Sequence, residues 1–227
     1  MEGRRDVTVR TLAVLASLLA WPSPLLAQAC EPVPASRPEA RSPSEPQGLS
    51  AMAVAKFVAG GALGLGLHES GHLLMASVLD ADPGLKKVSF GPIPFFAISH
   101  SDTTPGREYA ISAAGFWLQH ASSEWLLSRR PGLRHERAPL AKGLLAFNIL
   151  ASVAYATAAF GTFGPYERDT RAMADSSSMS EPWVGAMILG PAALDTWRYV
   201  KPESRWAAWT SRALKVGAVV MVVRAAR

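Results

Sequence analysis

The stretch Ala51 to Leu79, AMAVAKFVAGGALGLGLHESGHLLMASVL, decides the fold. Its only charged residues are Lys56 and Glu69. At a rise of about 1.5 Å per residue, a helix of this length crosses a hydrocarbon core of about 30 Å with residues to spare. Gly60, Gly61, Gly64 and Gly66 thin it and permit close approach of a neighbouring helix. Inside it stands His68-Glu69-Ser70-Gly71-His72. A spacing of four stacks both imidazoles on one helix face, where they reach one metal ion from consecutive turns. Zn2+ accepts neutral imidazole nitrogens readily, and Glu69, beside the first histidine, is placed to act as general base on a water. Left unpartnered in lipid, His68, Glu69 and His72 would cost several kcal/mol, so the chain needs a metal or a polar interior around them.

Working outward, Lys86 to Ser99, KKVSFGPIPFFAIS, interleaves β-branched and aromatic residues with Gly91, Pro92 and Pro94, which predicts an extended segment or hairpin. Helices are expected over Glu108–Ser128, Leu140–Phe160 and Trp183–Val200. The tail from Ala213 to Val223 is too short to span alone, with Trp206 and Trp209 before it suited to an interface. The expected fold class is an all-α polytopic membrane protein with about four transmembrane helices and a short β-rich loop between the first two.

The N-terminus differs in character. Arg4, Arg5 and Arg10 precede an apolar run from Leu12 to Trp21 and a small-x-small site at Ala27-Gln28-Ala29, so residues 1–29 read as a signal peptide or N-terminal anchor. Cys30 follows the cleavage point and is a candidate for lipidation, although Ala27 stands where such signals usually carry Leu. Residues 30–49, rich in Pro, Ser, Glu and Arg, read as a disordered linker, and residues 50–227 as one membrane metalloprotease-like domain. If the signal is removed, the spans place Arg129 to Lys142 and the segment after Arg198 outside, against the positive-inside tendency.

With 49% apolar and 18% charged residues, the composition fits a membrane protein diluted by polar connections. The net charge of +5 sits mostly at the ends of apolar segments, which fits a lipid bilayer as partner and argues against nucleic acid. One cysteine excludes a disulfide framework and a multi-thiolate zinc site within the chain. GGALGLG lacks the following Lys-Ser/Thr of a phosphate loop, and neither Ser70 nor Ser176-Ser177-Ser178 has a His and Asp at recognisable spacing. His100 and His135 lie in expected loops and read as solvated.

Three stretches together resemble the site-2 protease family of intramembrane zinc metalloproteases, over roughly Val58 to Arg198. They are HESGH, Arg107 to Gly115 (REYAISAAG) opening the next helix, and Gly190 to Asp195 (GPAALD) in a later one. The resemblance implies a zinc-dependent intramembrane endopeptidase of a bacterial inner membrane that hydrolyses peptide bonds in membrane-protein or peptide substrates. It further implies His68, His72 and Asp195 as zinc ligands and Glu69 as general base. The chain is a divergent member: Phe116 follows Gly115 where the family usually has Pro, Gln119 supplies the amide usually given by Asn, and Thr196 replaces the Gly after the motif Asp. His120, Glu167, Asp169 and Asp175 compete with Asp195 as third ligand. Asp195 also has a plainer role open to it, pairing with Arg198 one turn later. A non-catalytic membrane scaffold or regulator that keeps the protease-like fold is the alternative function.

Overall fold

The computed structural model describes residues 50–90 and 93–226; the expected signal and linker, residues 1–29 and 30–49, lie outside them. Helix α1 spans Ala51–Val78, started by Ser50, whose hydroxyl accepts from the Ala53 amide. Strands β1 (Gly84–Phe90) and β2 (Ile93–Ser99) pair antiparallel in register from Gly84↔Ser99 to Phe90↔Ile93, as the composition of that segment predicts. Helix α2 (Pro105–Arg129) starts where Thr104 caps the Arg107 amide and Pro105 supplies a first turn that needs no donor. A short 3-10 turn, Leu133–His135, leads to α3 (Pro139–Gly161), which ends at Thr162 in a left-handed conformation. The short α4 (Asp169–Asp175) follows, then α5 (Glu181–Val200) and α6 (Arg205–Ala225).

Among the described residues three helices, α1, α3 and α6, are long and apolar enough to cross a membrane. Helix α6 corrects the expectation of a short tail. Its polar residues do not interrupt it, because Ser211 and Lys215 turn inward to buried partners while Leu214, Val216 and Val220 stay exposed. The outward apolar surface is greatest on α1, where only 17% of the most apolar stretch is buried. Such a surface is costly in water and suited to lipid.

Small residues set the helix order. Phe57 meets Gly143 and Phe147 meets Gly64, so α1 and α3 run parallel at a separation that leaves no room for a Cβ. Arg107 donates to the Leu79 carbonyl while Gln119 meets His68, so α2 returns antiparallel to α1. Gly185 packs on Ala156 and Ala159, which brings α5 back along α3. Gly106 lies against Ala225 and Glu124 against Arg212, so α6 runs with α1 and α3. The bundle therefore has a first end, where α1, α3 and α6 begin, and a second end, which carries the hairpin, α4 and the HESGH half of α1. Ile111, Phe116, Leu79, Met173, Val184 and Val222 fill the core near the second end.

Candidate metal centre

His68 and His72 are both buried, on the face of α1 turned to α2. Their rings stand edge to face with centroids 4.8 Å apart. They fit because residue 115 of α2 is glycine: a Cβ there would lie 2.7 Å from His68 Cε1 and 2.8 Å from its Nδ1, and would collide with His72 Nε2. A second close approach, Gly71 against the Ala114 backbone, lets the two helices meet at this level.

Each imidazole is oriented through its far nitrogen. His72 Nδ1 donates to the Ile111 carbonyl at 2.8 Å, and His68 Nδ1 donates to Gln119 Oε1 at 2.7 Å. With the Nδ1 proton committed to these acceptors, a ring in its neutral form presents a bare Nε2 lone pair. The two Nε2 atoms face each other at 3.1 Å. Asp169, at the start of α4, brings Oδ2 to 3.2 Å from His68 Nε2 and 3.5 Å from His72 Nε2. Two imidazole nitrogens and a carboxylate oxygen thus converge on one point, a group that could hold a metal ion.

These separations also have the right size. Ligands about 2.0–2.1 Å from a tetrahedral Zn2+ stand about 3.3 Å from one another, close to the three edges found. The residues present fit zinc: two imidazoles and a carboxylate, each nitrogen ligand fixed through its other nitrogen. Glu69 follows His68, partly exposed and close enough for its charge to act on His68, His72 and Asp169. Tyr155 of α3 stacks on the His68 ring at 5.8 Å, and its hydroxyl is turned to Asp169. Phe116 closes the wall, edge-on to both His68 and Tyr155.

Asp169 is held at the mouth by charge. Burial pushes its carboxyl up, but the imidazoles of His72 and His68, when protonated, outweigh that and hold it far below the ordinary carboxylate range. Just before it, Arg168 grips Glu181 through two bonds of 2.6 Å, and Thr170 donates to the same carboxylate at 2.8 Å. This clamp fixes the start of α4 to the start of α5. Glu181, raised by burial and lowered more by those donors, titrates below its ordinary value.

Asp195, the third ligand implied by the resemblance, is placed elsewhere. It is 1% exposed, and Lys215 Nζ lies 2.8 Å from both its oxygens; Ser211 and Arg198 bond Oδ1 at 2.9 and 3.4 Å. Its carboxylate is engaged by Lys215, Ser211 and Arg198 and is not grouped with His68 and His72, so the pairing with Arg198 is the sequence alternative that holds. Glu124 of α2 joins this second cluster, accepting from Arg198, Arg212 and Lys215. Of the competitors, Glu167 pairs with Lys86 at 3.4 Å, Asp175 with Arg171 at 3.4 Å, and His120 is buried beside Trp117. Among the described residues one group, His68, His72 and Asp169, has metal-binding geometry.

Other expectations fare unequally. His100, read as solvated, is mostly buried at its side chain and pairs with Glu108 at 3.4 Å. Gln119 and Tyr155 are partners that spacing alone does not assign. Gln119 is visible in the sequence as a polar residue in an apolar helix, and Tyr155 as the lone tyrosine in α3. Compared with protein-family models, curated proteins and solved structures, the chain finds no match.

Proposed function

We propose that this chain is a zinc-dependent endopeptidase of the membrane, a divergent relative of the site-2 proteases, that cleaves membrane-protein segments or peptides entering beside the second end of the bundle. The observation that carries this reading is the convergence of His68 Nε2, His72 Nε2 and Asp169 Oδ2 with Glu69 adjoining. Zinc held by those three residues supplies Lewis-acid polarisation of a carbonyl and lowers the pKa of water into the neutral range, to about 7.

The chain's own residues do the rest. Glu69 accepts the proton of the attacking water and returns it to the departing amine. The Nδ1–H bonds to Ile111 and Gln119 hold both imidazoles in the tautomer that leaves Nε2 free. Phe116 and Tyr155 exclude bulk water from the back of the centre, which strengthens each charge interaction there. The β1–β2 ribbon at the same end could hold an unwound substrate backbone by strand addition.

The membrane reading includes more than three crossings. Because α1, α3 and α6 run parallel, a chain that crosses with all three must recross with α2 and α5, helices of 25 and 20 residues. Their polar side chains turn inward, Gln119, Ser123, Asp195 and Arg198 all being buried. That makes each crossing compatible with lipid. The bilayer concerned is taken as a bacterial inner membrane.

Purified protein is expected to hold one zinc per chain. The Glu69→Gln variant is expected to keep the metal and lose cleavage of a membrane-embedded peptide. Protein without stoichiometric zinc refutes the metalloprotease reading and leaves the scaffold alternative; equal cleavage by Glu69→Gln refutes the assigned base.

A further inference from the structure

Asp169 reaches the centre from a segment with little support of its own. Residues 161–167, which lead into α4, are all exposed, and Thr162 and Gly164 take left-handed backbone at φ 52° and 108°. Helix α4 has seven residues and no side-chain cap on its first amides. A helix that short holds its shape only through tertiary contacts. Further along α4, Met173 is buried in the core and anchors it there. The first turn, where Asp169 stands, is anchored by polar bonds instead.

Those bonds converge on one carboxylate. Arg168 and Thr170, the residues on either side of Asp169, are both buried, and both donate to Glu181. Arg168 Nε bonds Oε1 and Nη2 bonds Oε2, each at 2.6 Å, and Thr170 Oγ1 bonds Oε1 at 2.8 Å. Two parallel bonds from a guanidinium fix angle as well as distance. Successive helical side chains point about 100° apart, so tying both neighbours to one group stops Asp169 from sliding along or turning about the axis of α4. The other ion pairs of this segment, Lys86 with Glu167 and Arg171 with Asp175, are exposed and 3.4 Å long, and pairs of that kind contribute little.

Glu181 in turn belongs to the rigid frame. It stands in the first turn of α5, where the helix dipole favours a carboxylate. Val184 is fully buried, and Gly185 packs on Ala156 and Ala159 of α3. The same stretch of α3 carries Tyr155, whose ring stacks on His68. Glu181 thus refers Asp169 to the helix that also backs one of the two imidazoles.

We propose that Glu181 is a positioning residue for the metal: through Arg168 and Thr170 it holds the Asp169 carboxylate at His68 and His72, and so sets how tightly the centre keeps its ion. A ligand group fixed before the ion arrives loses less freedom on binding it. The coupling is reciprocal, so an ion that binds better with the clamp closed also keeps it closed. This assignment rests on the metal reading of the centre and not on peptide cleavage.

The test uses purified full-length chain in detergent, with Zn2+ affinity from chelator competition, the visible absorption of Co2+ bound in its place, and circular dichroism on the same samples. Glu181→Gln is expected to bind Zn2+ about 10-fold more weakly at unchanged helicity, and to lose the strong Co2+ absorption of a tetrahedral site. Thr170→Val removes one bond and strands no charge; it is expected to weaken Zn2+ about threefold, and it carries the test if Glu181→Gln does not fold. Asp175→Asn, at the far end of the same helix, is the control and is expected to match the parent. From the metal's side, saturating Zn2+ is expected to slow tryptic cleavage between Gly161 and Ser180 severalfold in the parent and not in Asp169→Asn. Zn2+ affinity in both clamp variants within a factor of about two of the parent, or cleavage that Zn2+ does not slow, overturns the proposal. Equal weakening by Asp175→Asn overturns it too, since the effect is then a general loosening of α4. A parent that binds no Zn2+ refutes the metal reading itself, a result distinct from a parent and clamp variants that all bind it equally.

Discussion

Gly115→Ala is the sharpest perturbation of the centre, because it adds one methyl group where two ligands and two helices meet. The new Cβ would stand 2.7 Å from His68 Cε1 and 2.8 Å from His68 Nδ1. Carbon atoms rest at about 3.5–4.0 Å, so the rings must retreat by about 0.7 Å or more. A metal site tolerates displacements of about 0.2 Å. Losing one orienting partner of a ligand costs about 10–100-fold in metal affinity, and moving both imidazoles belongs at the upper end, about 100-fold or about 2.7 kcal/mol. The fold suffers less. Overpacking costs about 1–3 kcal/mol, while replacing glycine by alanine inside a helix returns about 1 kcal/mol. Zinc competition against a chromophoric chelator, with circular dichroism on the same detergent-solubilised samples, reads both quantities. Gly61→Ala is the control, since nothing lies within 4 Å of a Cβ there. The expected result is a folded Gly115→Ala chain that binds zinc about 100-fold more weakly beside an unchanged Gly61→Ala. Zinc affinity within a factor of about three of the parent, with helicity intact, would refute the placing of the metal over Gly115.

Asp169→Asn is expected to abolish stoichiometric zinc binding while leaving the helices in place, which elemental analysis and circular dichroism together report; retained zinc removes Asp169 from the ligand set. Asp195→Asn is expected to do the reverse, keeping zinc but destabilising the chain by about 3–5 kcal/mol, because Lys215 and Arg198 lose a buried counter-charge. A thermal scan with metal analysis separates the two, and a stable, zinc-free Asp195→Asn protein contradicts the assignment. For pH, the clamp of Arg168 on Glu181 gives a signed expectation. The folded carboxyl titrates below the ordinary 4.5, so its contribution is complete above that value and is lost as the pH falls from it through the lower folded value. Limited proteolysis between Gly161 and Ser180 is therefore expected to rise as the pH drops below 4.5, and the step is expected to vanish in Glu181→Gln. An unaltered step in that variant assigns the effect to another group.

How much of this was legible in the sequence follows from the range over which each signal acts. The first helix and its two histidines are local: apolar continuity and a spacing of four are complete within Ala51 to Leu79, and the helix ends one residue short of the expected limit. The hairpin is local too, because prolines and a glycine exclude a helix whatever surrounds them. Helix α6 was underestimated for the opposite reason. Its Lys215 counts as a polar interruption until Asp195, 20 positions earlier, is seen to neutralise it. Gly115 was visible as a glycine in REYAISAAG, but the need for it lies in His68 and His72, which occupy the space of its missing side chain.

The choice between Asp169 and Asp195 turns on a balance that spacing does not record. Both are buried or nearly so, and both face groups capable of pairing. What separates them is the sign of their neighbours. Asp195 lies among Lys215, Arg198 and, through Glu124, Arg212, so three cations meet two carboxylates and the cluster satisfies itself. Asp169 lies against two imidazoles whose Nδ1 atoms are committed to Gln119 and Ile111, and its carboxylate with the two Nε2 atoms is a set that could hold a metal ion. Topology points the same way. His68 and His72 occupy the far half of α1, so a third ligand must come from a connection at the second end, and the polar run between α3 and α5 is such a connection. Asp195 sits three-quarters of the way along α5, on its way back to the first end, where its charge serves to hold α6 against α2 and α5.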